Sequence, residues 1–458
     1  MDKKLFEGYD VRGIYGKDLT EGDAESIGRA FGTLFKPGDS IIVGGDARTH
    51  TPALKEAFIA GLVSSGLNVV DVGLVPTHVV TFEVLRRGAS GGAVITASHN
   101  PAEYNGIKMY LGDVPLSSKQ MAVVGDAALN GKFRSSAQGA AVAEAVGEYY
   151  DDAVAQACKL GKTLRVVIDS GNGACGPDAR KIFARLDCKS EVLFEEPDGR
   201  FPNHAADPHK EATLDALKKR VVESKADLGV ALDGDGDRVA FIDENGVKVR
   251  SDDALIFLLR HYLSQGKGGS VAYDLRMSNA VPDEIKRLGG VPVLSAAGRT
   301  NVGGAARENG ALVAGEQTGH TFFGDFYYHD DALFAAAKFC QVLSLSSKTL
   351  SQEVASIPKY LASPELRLKV PAEKKREIVA AVVAYIKSEA PKLGGKVSEL
   401  DGVRADFPDG AWGLVRVSNT EPAITCRFEA HDKKGLQNVY ALFRGKLSEL
   451  GVDAPASF

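Results

Sequence analysis

Residues 228–243 read LGVALDGDGDRVAFID, two apolar runs on either side of Asp233-Gly234-Asp235-Gly236-Asp237-Arg238. Short apolar runs of this kind predict strands, so the acidic hexapeptide is expected as a strand-to-strand loop. Three carboxylates this close repel one another strongly unless a cation sits among them. Gly234 and Gly236 let the backbone fold tightly enough for all three to converge. Oxygen-only ligands suit a hard divalent ion, and few protein ligands leave room for waters and a substrate phosphate, as Mg2+ prefers. A catalytic Mg2+ site is therefore expected at Asp233, Asp235 and Asp237. A calcium loop of the helix–loop–helix kind would put Glu244 at its twelfth position, but Arg238 stands where its sixth-position glycine is needed. An idle acidic turn is the plainest alternative. The following Glu244-Asn245-Gly246 reads as a hairpin turn.

Outward from this loop, strand-like and helix-like patterns alternate. IIVGGD (41–46), a helical stretch over 51–65, NVVDVG (68–73) and GGAVITAS (91–98) read as a β-α-β-β unit. The rhythm recurs with LRVVIDSGNG (164–173), a helix to Leu186, EVLFEE (191–196) and DLGVAL (227–232). It returns with GSVAYDL (269–275), a helix near 280–288 and GVPVLSA (290–296). Such alternation predicts α/β layers with parallel or mixed sheets. Sequence identity among the three stretches is too faint to mark a repeat. The end differs: a helical pattern over 373–390 leads into WGLVRVS (412–418), AITCRFEA (423–430) and a last helix to Leu450, an α+β order. Residues 346–368 are expected to carry the connection.

The 458 residues exceed one ordinary core, and 44% hydrophobic with 25% charged residues is the balance of a globular chain. A net charge of −5 supplies no basic field for nucleic acid and no attraction to a membrane surface. The start, MDKKLFEGYD, has no apolar stretch of signal-peptide length, and the longest apolar run, Ile378 to Ile386, reads as a buried helix rather than a bilayer span. Five scattered cysteines without a C-x-x-C pair are expected as reduced structural thiols in the cytoplasm. Monomeric and homo-oligomeric states both stay open.

Three more loops carry chemistry. In TASHNP (96–101), Ser98 closes an apolar strand, where open α/β sheets gather ligands. His99 beside it invites a serine-hydrolase reading, but sequence neighbours point different ways and no G-x-S-x-G elbow is present. GEQTGH (315–320) sets a carboxylate, a hydroxyl and an imidazole between glycines, a set able to hold vicinal sugar hydroxyls. RVSNTEP (416–422) combines a guanidinium with hydroxyls and an amide, which suits phosphate. Taken singly, each could be a plain turn.

Together with Tyr9-Asp10-Val11-Arg12-Gly13 and Asn105-Gly106-Ile107-Lys108, these loops in this order resemble the α-D-phosphohexomutase superfamily over essentially the whole chain. The resemblance implies three related α/β domains with mixed sheets around a central cleft, plus a smaller C-terminal α+β domain that closes over it. It places these at 1–152 (phosphoserine), 153–253 (metal), 254–366 (sugar recognition) and 367–458 (phosphate binding). It implies that phosphorylated Ser98 passes its phosphoryl group to a hexose monophosphate, forming a bisphosphate that turns over and hands back its other phosphate. Asp233, Asp235 and Asp237 would hold Mg2+ against the Ser98 phosphate, with Lys108, Arg12 and Arg238 supplying positive charge around the reaction. Tyr9, Arg276, Glu316, Thr318 and His320 would bind the sugar; Arg416, Ser418, Asn419 and Thr420 would anchor the far phosphate. A hexose 1,6-bisphosphate is the expected activator.

Two departures stand out. Some members carry histidine in a loop resembling residues 298–303, and none occurs here. Arg276 stands where many have lysine, keeping the charge but making a poor proton shuttle. His320 is an alternative proton carrier or a plain sugar-binding group. YDVRG resembles the phosphomannomutase/phosphoglucomutase members, whereas the glutamine of GEQTGH resembles the phosphoglucosamine branch. Mannose and glucose phosphates are expected as substrates, glucosamine phosphate as the alternative. A Mg2+-dependent phosphatase would share these groups and is told apart by steady release of inorganic phosphate. A non-enzymatic calcium- or sugar-binding module would have no use for Arg238 and the second phosphate loop.

Overall fold

The strand–helix alternation resolves into one small topology used three times. The computed structural model describes all residues except 7, 135, 265, 267, 419–421 and 458. They fall into two compact units, residues 1–254 with 318–354 and residues 255–317 with 355–458.

The first unit opens with β1 (Val11–Ile14), α1 (Glu21–Gly32), β2 (Ser40–Gly45), α2 (Thr51–Ser64), β3 (Asn68–Leu74), α3 (Thr77–Arg87), β4 (Gly91–Ile95) and β5 (Tyr104–Leu111). After β6 (Val114–Pro115), α4 (Ser118–Asn130) and β7 (Ala141–Ala143), the sheet order is β1-β5-β4-β2-β3-β7, with β6 on β5. β2 lies between β3 and β4, parallel to both, and β5 runs antiparallel to β4. A second round follows: α5 (Glu148–Ala157), β8 (Arg165–Asp169), α6 (Gly176–Arg185), β9 (Lys189–Leu193), α7 (Asp215–Ser224), β10 (Leu228–Leu232), β11 (Val239–Ile242) and β12 (Lys248–Val249). β8 is central and parallel to β9 and β10, and β11 is antiparallel to β10, as in the first round.

After α8 (Ser251–Leu263) the third round runs β13 (Ser270–Asp274), α9 (Ala280–Arg287), β14 (Val291–Ser295), α10 (Arg299–Glu308) and β15 (Val313–Gly315), again with its first strand parallel to the other two. β16 (Thr321–Phe323) and α11 (Ala332–Leu345) belong to the first unit, where Phe339 of α11 stacks 3.8 Å from Phe241 of β11. Beyond α12 (Leu350–Ala355) the second unit ends in β17 (Leu361–Ala362), β18 (Leu366–Lys369), α13 (Lys375–Glu389), β19 (Lys396–Ser398), β20 (Val403–Asp406), β21 (Trp412–Val417), β22 (Ala423–Ala430) and α14 (Lys433–Glu449). These strands form an antiparallel sheet in the order β17-β22-β21-β20-β19, with β18 on β22.

Local sequence explains these elements. Thr20 and Asp23 form a reciprocal capping box at α1, and Gly88 ends α3 at φ +63°, where a Cβ would be penalised. β4 and β10 are buried at every residue, the mark of strands covered on both faces. The apolar run at 378–386 lies in α13 and buries Ile378, Val379, Val382 and Ile386 against the C-terminal sheet. The Asp243–Val247 turn carries Gly246 at φ +78°, as the hairpin reading expects. Three readings are corrected. The first round is β-α-β-α-β, because α3 separates β3 from β4, and the second is too, because α7 separates β9 from β10. Residues 299–303, taken as a loop, open helix α10.

Candidate active site

Equivalent positions in the three rounds carry the motifs. TASHNP follows β4, DGDGDR follows β10, and EQTGH follows β15, each the third strand of its round. The first strands match as well. Asp46, Asp169 and Asp274 each accept a hydrogen bond from the backbone N–H two residues on, at 3.0, 2.9 and 2.6 Å. Parallel strands thus deliver their loops at carboxyl ends, where open sheets bind ligands.

Ser98 is buried and sits at φ +51°, a left-handed conformation costly for a residue with a Cβ. Its turn is held from several directions. Ser98 N–H donates to Thr96 Oγ1 at 2.9 Å, and Thr96 Oγ1 donates to Asp46 at 2.7 Å. Arg48, 1% exposed and paired with Asp46, donates to the carbonyls of Ser98, Asn100, Pro101 and Tyr104 at 2.6–3.0 Å. Arg12 on β1 donates to Asn100 Oδ1 at 2.5 Å and to the Ala97 carbonyl at 3.2 Å. The left-handed turn also brings His99 Nδ1 to 3.2 Å from Ser98 Oγ, correcting the expectation that these neighbours diverge. Burial, with Arg238 and Arg12 nearby, drives the His99 pKa far down, so the ring is neutral. The shortest contact of Ser98 Oγ is with a carboxylate, 2.6 Å from Asp233 Oδ2.

That carboxylate belongs to the acidic loop, and Asp237 Oδ1 lies 3.5 Å from the same serine oxygen. Asp233, Asp235 and Asp237 are all buried, and each offers a ligand atom within 4.8 Å of the others. Further protein donors hold the other oxygen of Asp233 and of Asp237, and one oxygen of Asp235. Asp233 Oδ1 accepts from the N–H groups of Asp237 and Arg238 at 3.0 and 3.2 Å. Asp235 Oδ2 accepts from Lys108 Nζ at 2.6 Å and Thr77 Oγ1 at 2.7 Å, and Lys108 also bonds Asp237 Oδ2. Asp235 Oδ1 stays buried with no hydrogen-bond partner. Burial, then the charges of Asp237 and Asp235, push the Asp233 pKa well up, the sign of a negative site short of positive charge. An orphaned buried oxygen in an all-oxygen donor set fits a divalent cation. Two helix N-termini reinforce the site: Thr77 N–H of α3 donates to the Asp235 carbonyl at 2.9 Å, and Ala332 N–H of α11 to the Gly236 carbonyl at 3.0 Å. The glycines are needed. A Cβ on Gly234 would come within 2.7 Å of the Ser98 carbonyl, and one on Gly236 within 2.2 Å of Cys175 Sγ.

The same unit holds Arg238, which donates from Nε to His320 Nε2 at 3.0 Å. An arginine only donates, so the neutral imidazole carries its proton on Nδ1, 3.5 Å from Asp330 and 3.9 Å from Asp237. Thr318 and Tyr9 are half-buried. In the second unit, Arg276 donates to Glu316 Oε1 at 2.6 Å and is gripped by Asp274. Burial alone would depress the Arg276 pKa, but Asp274 and Glu316 outweigh it and raise it, excluding a proton-shuttle role at neutral pH. Arg404 ties the C-terminal sheet to the turn after β13, donating to the Leu275 and Met277 carbonyls and covering Trp412 at 3.9 Å. Arg416 on β21 is oriented by Asp401 at 2.7 Å, and the Ser418 carbonyl accepts from Lys375 at 3.0 Å. Asn419 and Thr420 lie outside the described residues. Arg48 and Thr77 had no signal in residue type or spacing.

Models of phosphoglucomutase/phosphomannomutase α/β/α domains I, II and III match residues 3–135, 147–246 and 251–360, and that of the family's C-terminal domain matches 365–445. The chain is 33% identical to a phosphomannomutase/phosphoglucomutase of Pseudomonas aeruginosa, covering 100% of this chain and 98% of that one. It is 32% identical to a phosphoglucomutase of Neisseria gonorrhoeae, with 97% and 96% covered. A crystal structure of a phosphoglucomutase/phosphomannomutase family protein from Burkholderia thailandensis matches with a TM-score of 0.90 at 32% identity, over 100% of this chain and 99% of that one. Among the described residues, no helix is long and apolar enough to cross a membrane. With all four domains matched in order and the serine lodged against the acidic loop, the chain belongs to the phosphoglucomutase/phosphomannomutase family.

Proposed function

We propose that this phosphohexomutase interconverts the 1- and 6-phosphates of mannose and glucose through Ser98, with Mg2+ held by Asp233, Asp235 and Asp237. The observation that carries the reading is the 2.6 Å contact between Ser98 Oγ and Asp233, inside a buried set of three carboxylates. In the phosphorylated enzyme, a free hydroxyl of the hexose monophosphate forms the new P–O bond as the bond to Ser98 Oγ breaks. The hexose 1,6-bisphosphate then presents its other phosphate to Oγ, and transfer back restores the phosphoserine and releases the isomer. When bound, the cation neutralises oxygen charge on the transferring group. Phosphoryl transfer asks the protein mainly for alignment and charge. Arg12 braces the serine turn, and Lys108 and Arg238 add positive charge beside it.

Arg416, Ser418, Asn419 and Thr420 anchor the phosphate that is not reacting, whereas Tyr9, Arg276, Glu316, Thr318 and His320 bind the sugar. A trace of hexose 1,6-bisphosphate activates the enzyme by phosphorylating Ser98. The names of the relatives at 32–33% identity support mannose and glucose as the sugars. The test compares turnover of mannose, glucose and glucosamine 1-phosphates with Mg2+ and trace glucose 1,6-bisphosphate. Formation of mannose and glucose 6-phosphates, abolished in Ser98→Ala, is expected. Steady release of inorganic phosphate without isomer, or isomerisation that survives Ser98→Ala, would overturn the proposal.

A further inference from the structure

We propose that Thr77 is a positioning residue for the cation, fixing the Asp235 carboxylate so that Oδ1 is the oxygen presented. The inference rests on reading the three aspartates as a cation site. Thr77 is the first residue of α3 and fully buried. Its N–H grips the Asp235 carbonyl at 2.9 Å, while its hydroxyl donates to Oδ2 of the same residue at 2.7 Å. The next residue, His78, brings Nδ1 to 3.0 Å from the Gly236 carbonyl, so the helix start and the acidic loop are in fixed register. Only the hydroxyl among these contacts touches a carboxylate.

A carboxylate on a short side chain has one soft torsion that decides which oxygen faces where. At Asp235 two donors, Lys108 Nζ and Thr77 Oγ1, converge on Oδ2. Lys108 is shared with Asp237 and can follow a rotating carboxylate, because its ammonium turns freely. The Thr77 hydroxyl sits on a stiff β-branched side chain at a helix start and cannot follow. Its bond therefore pins the torsion, and Oδ1 is left buried without a protein donor. The N-cap of α3 is Pro76, which has no side-chain group to cap with, and the Thr77 hydroxyl is directed to Asp235 rather than to its own helix. Partners that orient a metal ligand are typically worth 10–100-fold in affinity.

The test measures Mn2+ binding to the dephosphorylated full-length protein by electron paramagnetic resonance and calorimetry. Wild type, Thr77→Val, Thr77→Ser and Asp235→Asn are compared, and melting temperature is recorded for each. Thr77→Val keeps the volume and loses the hydroxyl, so its Mn2+ dissociation constant should rise about tenfold or more. Thr77→Ser keeps the donor on a less restrained side chain and should bind Mn2+ more tightly than Thr77→Val. Should valine disturb the fold, Thr77→Ala takes its place in the same comparison. Wild-type Mn2+ affinity in the variant lacking the hydroxyl, or equal weakening in Thr77→Ser, would overturn the proposal. Equal Mn2+ binding by wild type and Asp235→Asn would instead remove the cation reading itself, and the role of Thr77 with it.

Discussion

Arg48 gathers four backbone carbonyls, those of Ser98, Asn100, Pro101 and Tyr104, and holds Ser98 in its left-handed turn while Asp46 fixes the guanidinium from behind. A lysine would keep the charge but has one nitrogen and cannot span four acceptors. Arg48→Lys is expected to fold with a lower melting temperature and to lose kcat by roughly 100-fold, the usual cost of displacing a reacting group by about an ångström. KM should change little, since no substrate contact is touched. Steady-state kinetics decide it: a kcat within twofold of wild type would show that the serine turn stands without this clamp. Ser98 and the three aspartates stood out in the sequence because chemically distinctive side chains crowd short loops, whereas Lys108, within strand β5, was marked only by the family resemblance. Arg48 did not stand out. Its acceptors are main-chain carbonyls 50–56 residues away, which no residue type advertises. His99 was misjudged because divergence of neighbours presumes extended backbone, and Ser98 is not extended.

Helix α3 was one of the helices missed, and its burial explains why. All residues from Thr77 to Val84 are buried, so no polar face marks a helical period, and Val79, Val80, Thr81 and Val84 mimic a strand. The pair α5 and α6 yields a test of its own. Asp151 on α5 is fully buried, with Arg185 at 3.3 Å and Lys181 at 3.8 Å, and its Oδ1 has no hydrogen-bond partner. Lys181 is shared with Asp178 at 3.2 Å and Arg185 with Asp152 at 3.0 Å. Burial first, then the charge of Asp178, raises the Asp151 pKa to about 7 against the pull of both cations. The unfolded chain ionises this group near pH ~4. Between those values the folded state keeps a proton that the unfolded state has lost, so stability falls as pH rises through that window. Asp151→Asn lacks this proton. The melting temperature of Asp151→Asn minus that of wild type should therefore climb from pH 5 to pH 7 and then level. Scanning calorimetry giving a constant difference would refute the assignment.

At the scale of the whole chain, the threefold repetition lives in topology rather than in residues. A central first strand, a parallel strand on each side and a functional loop after the third strand recur, while side chains differ with each loop's task. Even the Asp-x-Arg turn after the first strand has been put to two uses: Arg48 clamps the serine turn, and Arg276 grips the Glu316 loop. Alternating patterns were enough to expect layered α/β domains, but strand order depends on distant pairings that leave no trace in local periodicity. The division into two units separates the proposed roles as well. Ser98 and the acidic loop belong to one unit, and Arg416 and Ser418 to the other. Loss of a charged hydrogen-bonding partner costs roughly 1.5–3 kcal/mol, so Arg416→Ala should raise KM for hexose 1-phosphates about 10–100-fold. Its Mn2+ affinity should match wild type, because every side chain contacting the three carboxylates is intact. Asp401→Asn, which only loosens the Arg416 guanidinium, should raise KM by a smaller factor. A change in Mn2+ affinity with unchanged KM in Arg416→Ala would contradict the assignment of phosphate anchoring to this loop.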